Sequence, residues 1–236
     1  MLRLDPGDKR IQFDATKLTW IGSLSVTHTV LFAWHLTPFN AVADVFQREM
    51  LVGGTNAAAN SDFYPKVLNV VLGTRFKVVS GFLDTREVLD AVEQGDVDGR
   101  FSSWDSLLAN SADWVADGRA RILLQAATKR HADLPNVPTA WELAKTPSQR
   151  QALDFLFLPA EMGRPIAGPP GLPEAQKTVL RAGFATLVKD PAFLGDAKKA
   201  GLEVNGPMTG GEIEAMVERI YATPKPVVDL VVKAMQ

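Results

Sequence analysis

The sequence predicts an α/β fold, an open sheet with helices packed on its faces. Three observations carry that expectation. Segments rich in β-branched and aromatic residues alternate with segments whose apolar residues recur three and four apart, so that residues 50–127 read β-α-β-α-β-α-β. The helical segments carry their own boundary signals: Asp84 with Glu87 and Thr146 with Gln149 at starts, Gly73 and Gly95 at stops. A chain of 236 residues that is 46% hydrophobic and 22% charged has enough apolar surface for a core of one or two domains.

The elements follow in order. Residues 1–19 read as a polar extended segment containing Pro6 and Gly7. "WIGSLSVTHTVLFAWH" (20–35) has no helical stripe and predicts one or two strands, closed by Pro38. A short helix fits 40–48 and a strand 50–53. In the helix expected over 62–72, Val67, Leu68, Val71 and Leu72 form one apolar face and Gly73 supplies a left-handed stop. "RFKVVSG" (75–81) is a strand. The helix opened by Asp84 places Val88 and Val92 four apart and ends at Gly95. "VDGRF" (97–101) is a short strand, 103–110 a short helix around Trp104, Leu107 and Leu108, and "RILLQAA" (121–127) a buried type of strand.

Beyond residue 127 the pattern is more helical. Thr139 with Glu142 makes a capping box, and Thr146, Pro147 and Gln149 make a second with Pro at the first helical position. "RPIAG" (164–168) is a strand and "GPPGL" (168–172) a rigid turn. Pro173 opens a long helix carrying Val179, Leu180, Phe184, Leu187 and Val188. Asp190 and Pro191 start the next helix, which runs to Gly201. "LEVNG" (202–206) is a last strand, Thr209 with Glu212 caps a helix through Tyr221, and Pro224 starts a final one.

Composition narrows the function. A net charge of −2 with no basic stripe argues against a nucleic-acid partner, because phosphate binding needs clustered Lys and Arg. With no Cys, disulfides, thiolate catalysis and Cys-based zinc sites are excluded. No apolar run approaches the roughly 18 residues of a membrane span, and "MLRLDPGDKRIQFD" has no signal-peptide core, so the chain as it stands is not expected to be exported. His28, His35 and His131 are scattered without metal-ligand spacing, and no GxSxG elbow is present, so no metal, cofactor or Ser-His-Asp chemistry is expected.

The candidate chemistry lies in "LVGGTNAAANSD" (51–62), at the junction of a strand and a helix. Such a junction exposes backbone N–H groups without intrahelical partners, and the helix dipole adds partial positive charge, so an anion is held there without a cationic side chain. Gly53, Gly54 and Ala57–Ala59 keep the surface small, while Thr55, Asn56, Asn60 and Ser61 add neutral hydrogen-bonding groups. Lacking the Lys of a phosphate loop, the turn suits a carboxylate. A Gly- and Ala-rich turn of this kind also serves tight packing alone, and both readings stay open. "SGFLDT" (80–85) and "RFSSWDS" (100–106) repeat the arrangement at two further strand ends, bringing three helix N-termini towards one cleft. In "EQGDVDGR", Glu93 and Asp96 belong to a solvated helix end, and Asp98 to a strand edge near that cleft.

"VGGTNAAANSDFYPKVLNVVLGTRFKVVSGF", "AVEQGDVDGR", "KRHADLPNVPTAWELAK", "EMGRPIAGPPGLPEAQKTVLRAGF" and "KDPAFLGDAKKAGLEV", in this order and spacing, resemble the periplasmic solute-binding proteins of tripartite tricarboxylate transporters, the TctC or Bug family. The resemblance runs from "KLTWIGSL" to the C-terminus. It implies a periplasmic-binding-protein type II fold, two α/β lobes closing on a small carboxylate that is passed to membrane permease subunits, with no turnover, no cofactor, a monomeric receptor and a periplasmic location. By that resemblance residues 28–125 form the second lobe, and 1–27 with 126–236 the remainder of the first. The ligand loop is Gly54, Thr55, Asn56, Ala57, Ala58, Asn60 and Ser61. Residues 80–84, with Gly81 and Phe82, and 101–104, with Ser102, Ser103 and Trp104, line the same cleft.

The chain departs from the family pattern twice. The family's N-terminal β-α-β-α block, with its Pro- and Gly-rich loop, has no counterpart, so the first lobe is expected to be incomplete, with apolar helix faces and strand edges uncovered. Asn56 and Ala58 stand where the family loop has glycines. Three readings follow: a carboxylate receptor; a non-binding remnant or ligand-sensing partner of a membrane receptor; and an enzyme on the same fold, for which Asp98, Asp84, Arg100 and Asp105 are the available polar groups.

Overall fold

The computed structural model describes residues 13–200, 202 and 204–235. In chain order its elements are β1 (Thr19–Ser23), β2 (Thr29–Trp34), α1 (Asp44–Gln47), β3 (Met50–Gly54), α2 (Asn60–Leu72), β4 (Phe76–Ser80), α3 (Thr85–Gln94), β5 (Gly99–Ser103), α4 (Trp104–Ala116), β6 (Ala120–Ala126), α5 (Pro147–Glu161), β7 (Pro165–Gly168), α6 (Glu174–Leu187), α7 (Pro191–Lys199), β8 (Met208–Thr209), α8 (Gly210–Tyr221) and α9 (Lys225–Ala234). The expected alternation over 50–127 is therefore present, within a mixed α/β fold. Residues 1–12 of the expected extended segment, with Pro6 and Gly7, lie outside the described residues, as does Gly201. The described end of that segment is not extended throughout, since Ala15–Lys17 form a single 3-10 turn in which the Asp14 side chain accepts from Thr16 N. The strand expected at 202–206 is not formed by the described residues there, and the strand in this region is Met208–Thr209.

Two compact units divide the chain: Met1–Thr27 with Leu158–Thr223, and His28–Phe157 with Pro224–Gln236. The second holds a five-stranded sheet in the order β4-β3-β5-β2-β6. β3 is parallel to β4 and β5, whereas β2 is antiparallel to both β5 and β6. Alternation along the chain does not reveal this, because β2 precedes the alternating segment and inserts between its last two strands. β2 is buried along its whole length, as a central strand covered on both faces requires. Val30, Phe32 and Trp34 join a cluster with Leu89, Val92, Val97, Leu107 and Trp114, where the rings of Trp34 and Trp114 meet at 4.6 Å. A second aromatic group gathers Tyr64, Phe76, Phe101 and Phe157.

Local chemistry sets the helix ends. Gly73 and Gly95 both take left-handed conformations (φ 80°) and close α2 and α3. Asn69 ties the end of α2 to β4: its Nδ2 donates to the Phe76 carbonyl (2.7 Å), and its Oδ1 accepts from Phe76 N (2.8 Å) and Thr74 Oγ1 (2.9 Å). The helix expected at 103–110 continues to Ala116, with a non-helical break at Ser111. The resumed turn delivers Trp114 to Trp34, a tertiary gain that outweighs the break. Thr139 and Glu142 do exchange capping hydrogen bonds (2.8 and 3.1 Å), but they close a turn and not an α-helix. Ala140 N donates to the Gln125 carbonyl there, and Arg130 also grips Glu142, so the segment is tied to the end of β6. The second box, Thr146 with Gln149, does open α5.

The other unit is an antiparallel sheet in the order β7-β1-β8. α6 and α8 rest on β1: a Cβ at Gly22 would overlap the Phe184 ring, and one at Gly210 would overlap the Trp20 carbonyl. Arg181 donates through Nε and Nη2 to Trp20 O (2.9 and 2.7 Å) and pairs with Glu214 (2.6 Å). Thr209 and Glu212 form the expected reciprocal box on α8. Of the apolar residues of α6, Phe184 is buried, whereas Val179, Leu180 and Leu187 are exposed.

Candidate functional site

The site lies within the unit formed by His28–Phe157 and Pro224–Gln236. Because β3, β4 and β5 run parallel, their C-terminal ends share one edge of the sheet, and each leads into a helix: β3 into α2, β4 into α3, β5 into α4. At that edge a cavity of about 270 Å³ is lined by residues from all three helix starts, namely Ala59, Asn60 and Ser61, Thr85, and Ser103 and Ser106. Thr29, Thr55, Arg100, Phe101 and Ser102 complete it. The convergence of three helix N-termini read from the sequence is realised in this lining.

The three termini differ in how much of their donor capacity is free. Ser103 Oγ accepts from Ser106 N at the start of α4 (3.2 Å), and the Asp84 carboxylate accepts from Glu87 N at the start of α3 (3.0 Å). α2 has no side-chain cap, since its N-cap is Ala59. The loop before it is shaped internally: Asn56 Oδ1 accepts from Ala58 N (3.1 Å) and Asn56 O from Ala59 N (2.9 Å). Ala59 O takes Asp62 N and Phe63 N (3.0 and 3.1 Å). The N–H groups of Asn60 and Ser61 make no backbone hydrogen bond among the described residues, which leaves two donors at the positive end of the helix.

Of the two readings of the glycines that the sequence leaves open, their surroundings fit tight packing. A Cβ at Gly53 would overlap the Val88 side chain of α3, and one at Gly54 would overlap the Asp62 carboxylate. Both positions are small to admit neighbours within the unit. Asp62 is fully buried on the first turn of α2, accepting from Ser61 Oγ (3.0 Å) and from Ser80 Oγ.

Of the residues expected to contact ligand, Thr55, Asn60, Ser61, Ser102 and Ser103 line the cavity, while Gly54, Asn56, Ala57, Ala58, Gly81, Phe82 and Trp104 do not. Asn56, Ala57, Ala58 and Gly81 are exposed, Phe82 packs on the Trp34 cluster, and Trp104 is buried with its indole N–H towards Asp133 (3.5 Å). Thr29 had no local signal. It reaches the cavity because β2 pairs with β5 in the register Thr29↔Ser103. Arg100 did carry one, a charge inside the short strand expected at 97–101, and it is buried in the structure. Burial lowers its pKa, and the nearby charges of Asp62 and Asp84 oppose that shift.

Asp98 does not line the cavity. Its Oδ2 accepts from Leu51 N (2.7 Å), its N–H donates to Leu51 O and its carbonyl accepts from Trp34 N (both 2.8 Å), so it ties β3, β5 and β2 together. Burial raises its carboxyl pKa, against the Leu51 hydrogen bond. No group of three or more His, Cys, Asp or Glu side chains suited to a metal occurs among the described residues, and none of their helices is long and apolar enough to cross a membrane.

No protein-family model matches the chain, and no curated protein sequence does. Solved structures do. A TctC solute-binding protein from Polaromonas, crystallised without ligand, superposes with a TM-score of 0.70 at 16% identity, over 94% of this chain and 72% of that one. The chain has the fold of a TctC-type solute-binding protein. The TctC-like architecture recurs in Rpa4515 of R. palustris with adipate, at a TM-score of 0.56 and 17% identity over 93% and 71% of the two chains. A structure described as a periplasmic transporter matches at 0.54 and 17% identity over 94% and 70%. At these identities it is the backbone course of the TctC-like fold that is shared.

Proposed function

We propose that the protein is a periplasmic solute-binding receptor for a small carboxylate, which it delivers to the membrane subunits of a tripartite tricarboxylate-type transporter. The observation that carries this reading is the uncapped start of α2 in the wall of the cavity, where Asn60 and Ser61 N–H groups remain available beside the hydroxyls of Thr29, Thr55, Thr85, Ser102, Ser103 and Ser106. Backbone donors at a helix N-terminus bind an anionic oxygen, and hydroxyls complete its hydrogen bonding. The TctC-like fold and the adipate held by a structural neighbour support the transport role and the ligand class.

Calorimetry and thermal unfolding against mono-, di- and tricarboxylates, acidic amino acids and aromatic acids test the reading. An acid present at a hundred times its Kd is expected to stabilise the fold by about 2.7 kcal/mol, roughly 5–10 °C in a chain of this size. If every acid leaves both the heat signal and the melting temperature unchanged, the proposal is wrong.

A further inference from the structure

The reading above holds the ligand by neutral donors. Arg100 adds something they do not. It is 7% exposed and lines the cavity. Its Nε donates to Phe101 O (3.3 Å) and its Nη1 to Thr85 O (3.2 Å), both neutral carbonyls. Nη2 makes no hydrogen bond, and the guanidinium forms no ion pair, among the described residues. A guanidinium keeps its proton at any working pH, so this is a permanent charge inside the fold without a contacting counter-ion. Burial of such a charge is costly unless something of opposite sign completes it. The nearest candidates within the unit are already engaged: Asp62 by the hydroxyls of Ser61 and Ser80, Asp84 by Glu87 N–H.

We propose that Arg100 is the specificity-determining residue of this cavity, its Nη2 edge ion-pairing directly with an ionised carboxylate of the ligand, so that the protein accepts carboxylic acids and rejects their uncharged amides. The inference rests on the carboxylate-receptor reading and adds to it a side-chain charge that the backbone donors of α2 do not supply. Asp62 and Asp84 shape the selectivity further. Their negative charges offset the guanidinium without touching it, so the cavity favours a singly charged oxyacid group over a phosphate dianion. The volume of about 270 Å³ agrees with a small ligand.

The experiment measures binding of succinate, glutarate and adipate, their monoamides and diamides, and inorganic phosphate to the intact chain and to Arg100→Gln and Arg100→Lys. The intact chain is expected to prefer an acid over its diamide by about 10- to 100-fold, the range of a charge-assisted hydrogen bond, and to bind phosphate more weakly than the acid. Arg100→Gln should lose most of that preference by weakening acid binding while diamide binding holds, and Arg100→Lys should keep part of it. If Arg100→Gln does not fold, the acid-against-amide ratio of the intact chain and the Arg100→Lys variant still decide. Acids that bind both variants within about threefold of the intact chain overturn the role of Arg100 and leave the receptor reading standing. No acid binding by the intact chain overturns both.

Discussion

The Asp62 carboxylate occupies the space that a side chain at Gly54 would need. The last residue of β3 and the first turn of α2 are thereby fitted to each other around a buried, hydrogen-bonded charge. Gly54→Ala is expected to destabilise the protein by about 1–3 kcal/mol through overpacking, read from urea denaturation midpoints. Combined with Asp62→Ala, the loss should be less than the sum of the two single changes. Strict additivity would show that the contact carries no energy.

Comparing Asn60→Pro with Asn60→Ala isolates a backbone donor, because both variants lose the side-chain amide that lines the cavity and only Pro loses the N–H. Pro suits the first position of a helix, and Ala59 before it already has the extended backbone (ψ 148°) that a following Pro requires. The helix should therefore persist with one N–H fewer at the cavity. Carboxylate affinity is expected to fall by about tenfold or more relative to Asn60→Ala, with the melting temperature of the ligand-free protein little changed. Equal affinity in the two variants would remove the α2 terminus from the site.

Asn69 is expected to be worth more than its half-exposed position suggests. Asn69→Ala leaves both backbone groups of Phe76 without their partner, and should cost about 2–4 kcal/mol in denaturant midpoint. Asn69→Asp, which keeps the acceptor but not the donor, should fall in between. Equal losses for the two variants would point to the helix end itself and not to the tie with β4.

Asp98 predicts a pH dependence. Burial holds its carboxyl above the ordinary 3.8, so the folded protein binds a proton there more tightly than the unfolded chain. That contribution is fully present below 3.8 and is lost as pH rises through the folded value. Asp98→Asn removes the titration, so its stability relative to the parent should improve as pH is raised from about 3 to about 7. Denaturation midpoints across that range measure it, and a difference independent of pH would contradict the assignment.

The start and stop signals were readable because their chemistry spans only a few residues. Gly73 and Gly95 close helices by a backbone conformation that glycine adopts at no steric cost, and Thr146 with Gln149 opens α5 by bonds between residues three apart. The limit shows at Thr139 and Glu142, where the same local bonds form but Gln125 and Arg130 hold the segment in a turn. At Ser111 the backbone does leave the helical conformation, close to the expected end at 110, and the helical turn that follows brings Trp114 to Trp34, which no local signal announces.

By itself, the sequence determined the alternating α/β pattern, the helix ends and the concentration of small polar residues where strands meet helices, since each is set by neighbours along the chain. Only the tertiary structure decided which of those residues share a cavity. Thr29 stands opposite Ser103 through strand pairing across a long stretch of chain, Gly54 proves to be small for Asp62, and Arg100 is enclosed beside Thr85. Strand order and register bring distant residues together, and no periodicity or short motif encodes that proximity.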